Sequence, residues 1–368
     1  MPRSITLIFI LCFPQLLLGN TSALKGQVHR APASKTQLLG EALFFDTNLS
    51  QPPGQSCASC HDPRFAFTDP DKDQTLSEGA NKGRFVTRNT PTAMYTRFTP
   101  PLHFDNDEGL WIGGQFLDGR KNTLEEQAKL PFLGFAEMAN IDGQSVVNKV
   151  RKASYAPLVK ALYGEDIFND SEAAFDAIAS AISAFERTSQ FNPFSSKYDL
   201  YLAGAATLSK QEQLGLKLFE AEDKGNCAAC HPSRPDKNGQ MPLFTDYSYD
   251  NLGLPANPLV PTVDLGLGVT VKDPAENGKF RVPTLRNVAL TSPYTHNGSF
   301  STLKELLEFY NTRDTDSRWG KAEVPATMNT QELGDLKLED EEIDALVAFL
   351  KALTDGYQEN RHSPSKSP

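Results

Sequence analysis

Two segments of the chain repeat their apolar residues with the period of an α-helix. They are residues 171–191 and 340–353, and in both the apolar side chains recur three and four positions apart. Thr123 and Thr302 predict two further helix starts, because each is followed three residues later by Glu, as in a capping box. Runs that alternate apolar and polar residues are scarce. The pattern predicts a mainly α protein.

The segments between the helices are rich in turn-forming residues. The 25 prolines and 25 glycines concentrate in connections such as 251–268, so we expect long loops. The final stretch, 356–368, is polar and is predicted to be disordered.

Several short motifs occur twice in the same order. The pairs are LGEALFFD (39–46) with LGLKLFEA (214–221), RNTPT (88–92) with RVPT (281–284), and DGRKNTLEEQ (118–127) with NGSFSTLKEL (297–306). This order predicts two related domains, at 24–200 and 201–355, joined near 192–204. The stretch 97–114 has no counterpart in the second copy.

Each predicted domain carries the sequence Cys-x-x-Cys-His. The copies are Cys57, Cys60 and His61, and Cys227, Cys230 and His231. Three kinds of site fit paired cysteines: covalent c-type haem, a zinc ion shared by four thiolates, and a redox dithiol. Only haem attachment requires His directly after the second Cys, as the iron ligand, and both copies have it. We therefore predict two covalently bound haem c groups in two cytochrome c-like domains.

The N-terminus has the features of a secretory signal. Arg3 precedes an apolar run too short to span a bilayer, and small residues end at Ala23. We expect residues 1–23 to be removed, together with Cys12, and the mature chain to be periplasmic without a membrane span. The formal net charge of -10 argues against nucleic acid as a partner.

The doubled haem motif, RNTPT, DGRKNTLEEQA, AEM and VPTLRNVALTSPYTHNGS together resemble the bacterial di-haem cytochrome c peroxidases and their relatives of the MauG type, over roughly residues 39–353. The resemblance implies that hydrogen peroxide reacts at the N-terminal haem, bound by His61, and that the C-terminal haem, bound by His231, handles electrons. It also implies that Glu137 is the catalytic carboxylate and Gln127 its partner.

Two positions distinguish types within this family. Many members place a distal histidine after the first haem motif, but here residues 76–85 contain none, so we expect an open first haem; His103 is the alternative ligand, and a surface loop is its ordinary interpretation. Fourteen residues after His296 stands Tyr310, where MauG-type members have the tyrosine ligand of the second haem. Tyr310 also fits the apolar stripe of an amphipathic helix, and Met241 and Met328 are alternative ligands.

The resemblance also predicts a calcium ion between the haems, held by Asn89, Thr291 and Pro293. Leu117 stands where the family usually has an inter-haem tryptophan, so direct exchange between the haems or a role for Trp111 is expected instead.

The function that these residues predict is a MauG-like peroxidase that uses high-valent haem iron to oxidise a partner protein. One alternative is a cytochrome c peroxidase that removes hydrogen peroxide with electrons from a small cytochrome or copper protein. A second alternative is a di-haem electron carrier without enzymatic activity.

Overall fold

The computed structural model describes residues 33–260 and 262–358. The predicted signal peptide and most of the predicted tail lie outside these residues. Within them, the helices are α1 (Lys35–Phe44), α2 (Cys57–Cys60), α3 (Leu124–Leu133), α4 (Gly143–Val150), α5 (Ala156–Tyr163), α6 (Ser171–Glu186), α7 (Lys197–Leu202), α8 (Lys210–Glu220), α9 (Leu267–Val271), α10 (Leu303–Thr312) and α11 (Asp340–Lys351). The prediction of a mainly α fold with long loops is confirmed.

The strands form two short antiparallel pairs. β1 (His103–Asp105) pairs with β2 (Leu110–Ile112), and β3 (Tyr249–Asp250) pairs with β4 (Phe280–Arg281). The first pair lies in the stretch 97–114 that has no counterpart in the second copy of the motifs. In the described residues, no helix is both long and apolar enough to cross a membrane.

Two hydrophobic cores divide the described chain. The core of the first half extends from Leu39 to Phe191 and that of the second half from Tyr198 to Leu353. In the first, α1 packs against α6; in the second, α8 packs against α11. The halves meet around Arg286, a fully buried guanidinium that forms two hydrogen bonds of 2.7 and 2.9 Å with Asp199 and lies 5.0 Å from the ring centroid of Tyr95 in the first core.

The predicted helix starts are where the capping pattern puts them. The hydroxyls of Thr123 and Thr302 each accept a hydrogen bond, at 3.2 Å, from the backbone N–H three residues on. In a capping box the Glu side chain accepts a hydrogen bond from the N–H of the N-cap residue. Here Glu126 accepts instead from the N–H of Asn122, the residue before the N-cap Thr123.

Helices α6 and α11 both end before the apolar periodicity of their sequence segments does. α6 ends at Glu186, and the chain then turns so that Phe191 stacks on Phe67 at 4.0 Å. α11 ends at Lys351, and the N–H of Leu353 bonds to the carbonyl of Leu350. Apolar periodicity continued past the helix ends because the following residues are buried in the same cores.

Candidate functional site

The first Cys-x-x-Cys-His motif forms one helical turn, and its histidine directly follows the turn. Cys57 and Cys60 lie on α2, and the N–H of His61 donates to the carbonyl of Cys57 at 2.9 Å. The Nδ1 of His61 lies 2.9 Å from the carbonyl oxygen of Phe67. A carbonyl only accepts, so Nδ1 carries the proton and Nε2 keeps its lone pair for a metal.

The second motif has the same geometry. Cys227 lies on a short 3₁₀ turn, and the N–H of His231 donates to its carbonyl at 2.9 Å. The Nδ1 of His231 lies 2.7 Å from the carbonyl oxygen of Phe244. Burial lowers the pKa of both His231 and His61, so both rings stay neutral, as an iron ligand must.

The four thiols are poor candidates for a redox dithiol. Burial raises the pKa of Cys57, Cys227 and Cys230 to about 12 and that of Cys60 to about 11. A reactive dithiol instead has a lowered pKa, which supplies the thiolate.

A shared zinc site fails on geometry. The two cysteine pairs belong to different cores, and in residues 33–260 and 262–358 no three His, Cys, Asp or Glu side chains converge as a metal site would require. Of the three interpretations of Cys-x-x-Cys-His, covalent haem attachment fits the structure.

A large cavity adjoins the second motif. Cys227, Cys230 and His231 line it, and so do the residues of α10 that form the predicted apolar stripe: Leu303, Leu306, Leu307 and Tyr310. The hydroxyl of Tyr310 forms no hydrogen bond with any residue that the structure describes, and burial raises its pKa. Met241 and Met328 do not line this cavity.

The cavity also contains a buried cation. Arg281 lines it, and its Nε donates to the carbonyl of Phe116 at 3.3 Å, but it forms no ion pair within the described ranges. Desolvation lowers the pKa of this guanidinium. A buried charge without a counter-ion is costly, and a haem propionate would supply the missing anion. This observation supports a haem in the cavity.

Glu137 lies close to the first haem motif. Burial raises the pKa of its carboxyl group, an effect that the nearby Arg120 opposes, and Glu137 in turn raises the pKa of both Cys57 and Cys60. The carboxylate lies against the Cα of Gly134, where an added Cβ would overlap Oε2. A partly desolvated carboxyl beside the haem motif is suited to proton transfer.

Comparison with known proteins agrees with this geometry. Residues 34–207 match the family model described as di-haem cytochrome c peroxidase, and residues 213–354 match the one described as cytochrome c. The methylamine utilization protein MauG of Paracoccus denitrificans is 39% identical over 344 residues, covering 86% of this chain and 88% of that protein. The chain belongs to the di-haem cytochrome c peroxidase family.

Other members of the family are also similar to this chain. The diheme peroxidase BthA from Burkholderia thailandensis has a TM-score of 0.81 at 34% identity, covering 89% of this chain and 87% of that one. The cytochrome-c peroxidase IdrP2 of Denitromonas iodatirespirans is 31% identical, covering 86% and 80%. The predicted resemblance is therefore confirmed, the cofactors are two haem c groups in two cytochrome c-like domains, and the chain is an enzyme rather than an electron carrier.

The other residues predicted for the first haem of this di-haem peroxidase are on different elements. Gln127 lies half-buried on α3, one turn before Pro131, whose carbonyl accepts the N–H of Met138. His103 is exposed on β1, with its Nδ1 2.9 Å from the carbonyl of Pro101. The stretch 76–85 packs beside Glu137, since the N–H of Ala80 donates to the Glu137 carbonyl at 2.7 Å.

Pro131 is a residue that the sequence analysis missed. It stands eight residues after the N-cap Thr123, and Tyr310 stands eight residues after the N-cap Thr302. Because the two helices begin with the same cap, Pro131 and Tyr310 occupy equivalent positions along them. Proline has no atom in its side chain that could bind iron, whereas the tyrosine at the equivalent position has a phenol oxygen that could. Aligning the two capping motifs in the sequence would have revealed this.

Two further predictions concern the region between the haems. The side chain of Asn89 lies 2.5 Å from the carbonyl oxygen of Pro293, and Thr291 is two residues earlier; all three line the cavity. Turning the Asn89 amide by 180° would place Oδ1 beside that carbonyl, a suitable pair of calcium ligands. Leu117 lines the cavity, whereas Trp111 does not.

Proposed function

We propose that this di-haem peroxidase reduces hydrogen peroxide at the first haem and passes the oxidising equivalents to a partner protein, as its MauG relatives suggest. His61 and His231 would bind the two irons through Nε2, and the four cysteines would form the thioether links. When bound, the haem of the first half supplies the iron at which the peroxide O–O bond breaks.

Glu137 is proposed to move the proton that this cleavage needs. A carboxylate near the iron can take a proton from the nearer peroxide oxygen and deliver it to the farther one, which leaves as water. Gln127 would orient the peroxide by hydrogen bonding. Pro131 would offer this iron no ligand, so the iron would stay accessible to peroxide.

The position of Tyr310 is the observation that carries the proposal. It lines the cavity of the second haem with His231, its hydroxyl has no other partner among the described residues, and its counterpart in the first half is Pro131. As a phenolate, Tyr310 would be a strong anionic ligand that stabilises more oxidised iron. Such a ligand favours holding an oxidising equivalent over accepting an electron from a small cytochrome.

Two other predictions extend the proposal. Asn89, Thr291 and Pro293 would hold a calcium ion between the halves, through carbonyl and amide oxygens. The enzyme would act in the periplasm, where c-type haem is attached after export.

A cytochrome c peroxidase that removes hydrogen peroxide is the second candidate, because relatives at about 30% identity carry that name. The two candidates share the first haem and differ at the second. An iron bound by a neutral ligand would accept electrons from a small protein more readily than one bound by phenolate.

The ligand of the second haem can be tested directly. Tyr310→Phe should change the absorption and electron paramagnetic resonance spectra of one haem only and raise its reduction potential, because the anionic ligand is lost. Both properties are measured on the purified holoprotein.

Tyr198→Phe is the matched control. Tyr198 lies in the same half, with its hydroxyl bonded to the carbonyl of Ser233, on the side of the core that holds His231. It should leave both spectra unchanged. Unchanged spectra in Tyr310→Phe as well would remove the basis for a MauG-like function and favour the second candidate.

A further inference from the structure

The β1–β2 hairpin displays aromatic side chains on the surface. Phe104 pairs with Trp111 across the strands, and their rings meet edge to face with centroids 5.5 Å apart. Phe104 is 43% exposed and Leu110 36% exposed, and Trp111 is partly exposed. None of the three belongs to either hydrophobic core. A group of apolar side chains in contact with water is typical of an interaction surface.

The hairpin is held in a defined shape. The Asp105 side chain accepts hydrogen bonds from the N–H groups of Asp107 and Glu108, at 2.8 and 3.2 Å, and its carbonyl accepts from Gly109 at 2.8 Å. These bonds close the turn, so Phe104 and Trp111 are presented together rather than on a loose loop.

The base of the hairpin contacts the wall of the second haem cavity. The N–H of Gly113 donates to the carbonyl of Tyr247 at 3.0 Å, and the hydroxyl of Tyr249 donates to the Gly113 carbonyl at 2.6 Å. Tyr247 lines the cavity beside Arg281. Trp111 is therefore two residues from Gly113, which bonds to both the partly buried Tyr247 and the buried Tyr249. The base of the hairpin thus connects the strand that carries Trp111 with a residue of the cavity wall.

The charge around the aromatic group indicates the kind of partner. Asp105, Asp107 and Glu108 lie in the turn next to the strands that carry the exposed rings, and the whole chain has a formal net charge of -10. An apolar centre with an acidic rim is complementary to a basic protein surface with an apolar centre.

We propose that this hairpin is the docking surface for a basic protein partner and that Trp111 is the residue through which the partner's electrons enter. The inference rests on the proposed function, because it names the surface at which the partner protein is oxidised.

Hydrogen peroxide takes up two electrons and two protons and leaves as two water molecules. Trp111 would give up one electron at a time, through the base of the hairpin and Tyr247, toward the second haem, and one electron from the docked partner would restore it each time. The partner loses two electrons in all, and any protons it loses go to solvent.

The second tryptophan provides a matched control. Trp319 lies in the second half and, like Trp111, is partly exposed. Its indole N–H donates to the hydroxyl of Thr312 at 2.9 Å, and the Arg318 guanidinium lies 4.2 Å from the ring centroid. A cation over the ring makes removal of an electron less favourable. Trp319 is part of the core packing around Phe309 and is not next to an exposed apolar group.

The test uses the holoprotein with hydrogen peroxide and two electron donors. One donor is a reduced basic c-type cytochrome, as the protein probe; the other is hydroquinone, a small neutral molecule that needs no docking surface. The variants are Trp111→Phe, the double change Asp107→Lys with Glu108→Lys, and Trp319→Phe. The two lysine positions are exposed, and Asp105, which closes the turn, is left in place.

With the cytochrome, the charge reversal should raise KM about tenfold with kcat unchanged. Trp111→Phe should lower kcat about tenfold with KM unchanged, and Trp319→Phe should change neither. All variants should keep the wild-type rate with hydroquinone.

Two results would overturn the proposal: a Trp111→Phe variant that oxidises the cytochrome at the wild-type rate, or a wild-type enzyme that oxidises hydroquinone but not the basic cytochrome. A wild-type enzyme that oxidises neither donor would instead refute the proposed function, and the inference with it.

Discussion

The two halves of the molecule hold their histidines in the same way and differ in what faces those histidines. In each half the ring Nδ1 donates to the carbonyl of a phenylalanine, Phe67 or Phe244, that follows the motif in the chain. Both phenylalanines have left-handed backbone angles, with φ of 55° and 52°. This unusual conformation at matching positions turns the carbonyl toward the histidine.

The helices behind the motifs are equally alike. Gly40 on α1 and Gly215 on α8 lie so close to the facing helix that a Cβ would overlap a backbone oxygen, that of Ala181 and that of Ala345. A glycine at this crossing lets the two backbones approach each other, and both halves use it at the same place in the repeated motif.

The opposite sides of the two sites have diverged. After equivalent N-caps, the first half has Pro131 and the second has Tyr310. A carboxyl group whose pKa is raised by burial lies near the motif in both halves, Glu137 in the first and Asp250 in the second. The fold that positions the histidines is thus common to both halves, and the difference lies at positions 131 and 310. Under the proposed function, this difference would decide which haem reacts with peroxide and which holds an oxidising equivalent.

Of the changes that test this comparison, Glu137→Gln is expected to have the largest effect. Removing the proton carrier should slow the reaction with hydrogen peroxide by about 10²–10⁴-fold, the usual contribution of general acid–base catalysis. The rate is measured by stopped-flow absorption under single-turnover conditions.

The same residue should set a pH dependence. Burial raises the pKa of Glu137 above its ordinary value of 4.5, and the carboxylate form is the one that accepts a proton. The wild-type rate should therefore fall as pH falls through this raised pKa, and the Glu137→Gln rate should lack that acid limb. An unchanged acid limb in the variant would assign it to another group.

The second-largest effect is expected when Pro131 in the first half is replaced by tyrosine, the residue at the equivalent position 310 of the second half. Pro131→Tyr places a phenol where the proposed function requires an open face of the first haem, and it restores a backbone N–H inside α3. A bound phenolate should make both haems six-coordinate and slow the reaction with peroxide by about 10²-fold or more.

Pro131→Phe is the control for this swap, because it adds the same ring without the oxygen. It should leave the first haem five-coordinate. If both variants lose activity equally with no change in coordination, the loss comes from bulk, and equivalence of positions 131 and 310 is not supported.

Part of this arrangement could be predicted from the sequence alone. The helical periodicity, the capping threonines and the doubled haem motif are local patterns, and they were sufficient for the fold class and for haem attachment. The partners of the histidines were not predictable, because Phe67 and Phe244 act through their backbone carbonyls, which any residue has. Arg281 was missed for a related reason: its lack of a counter-ion appears only when segments distant in the chain fold together.

The contact between Gly134 and Glu137 was likewise not predictable from the sequence. Gly134→Ala, which tests it, is expected to have the smallest effect. Gly134 has φ -59° and ψ 120°, which alanine adopts freely, so Gly134→Ala should fold normally. The added Cβ overlaps Oε2 of Glu137 and must push the carboxylate aside. We expect the reaction with peroxide to slow about tenfold, since small displacements of a catalytic group are costly.

In the Glu137→Gln background, Gly134→Ala should slow the reaction much less, because little proton transfer is left to disturb. Equal losses in both backgrounds would show that Gly134 acts independently of Glu137 and does not position its carboxylate.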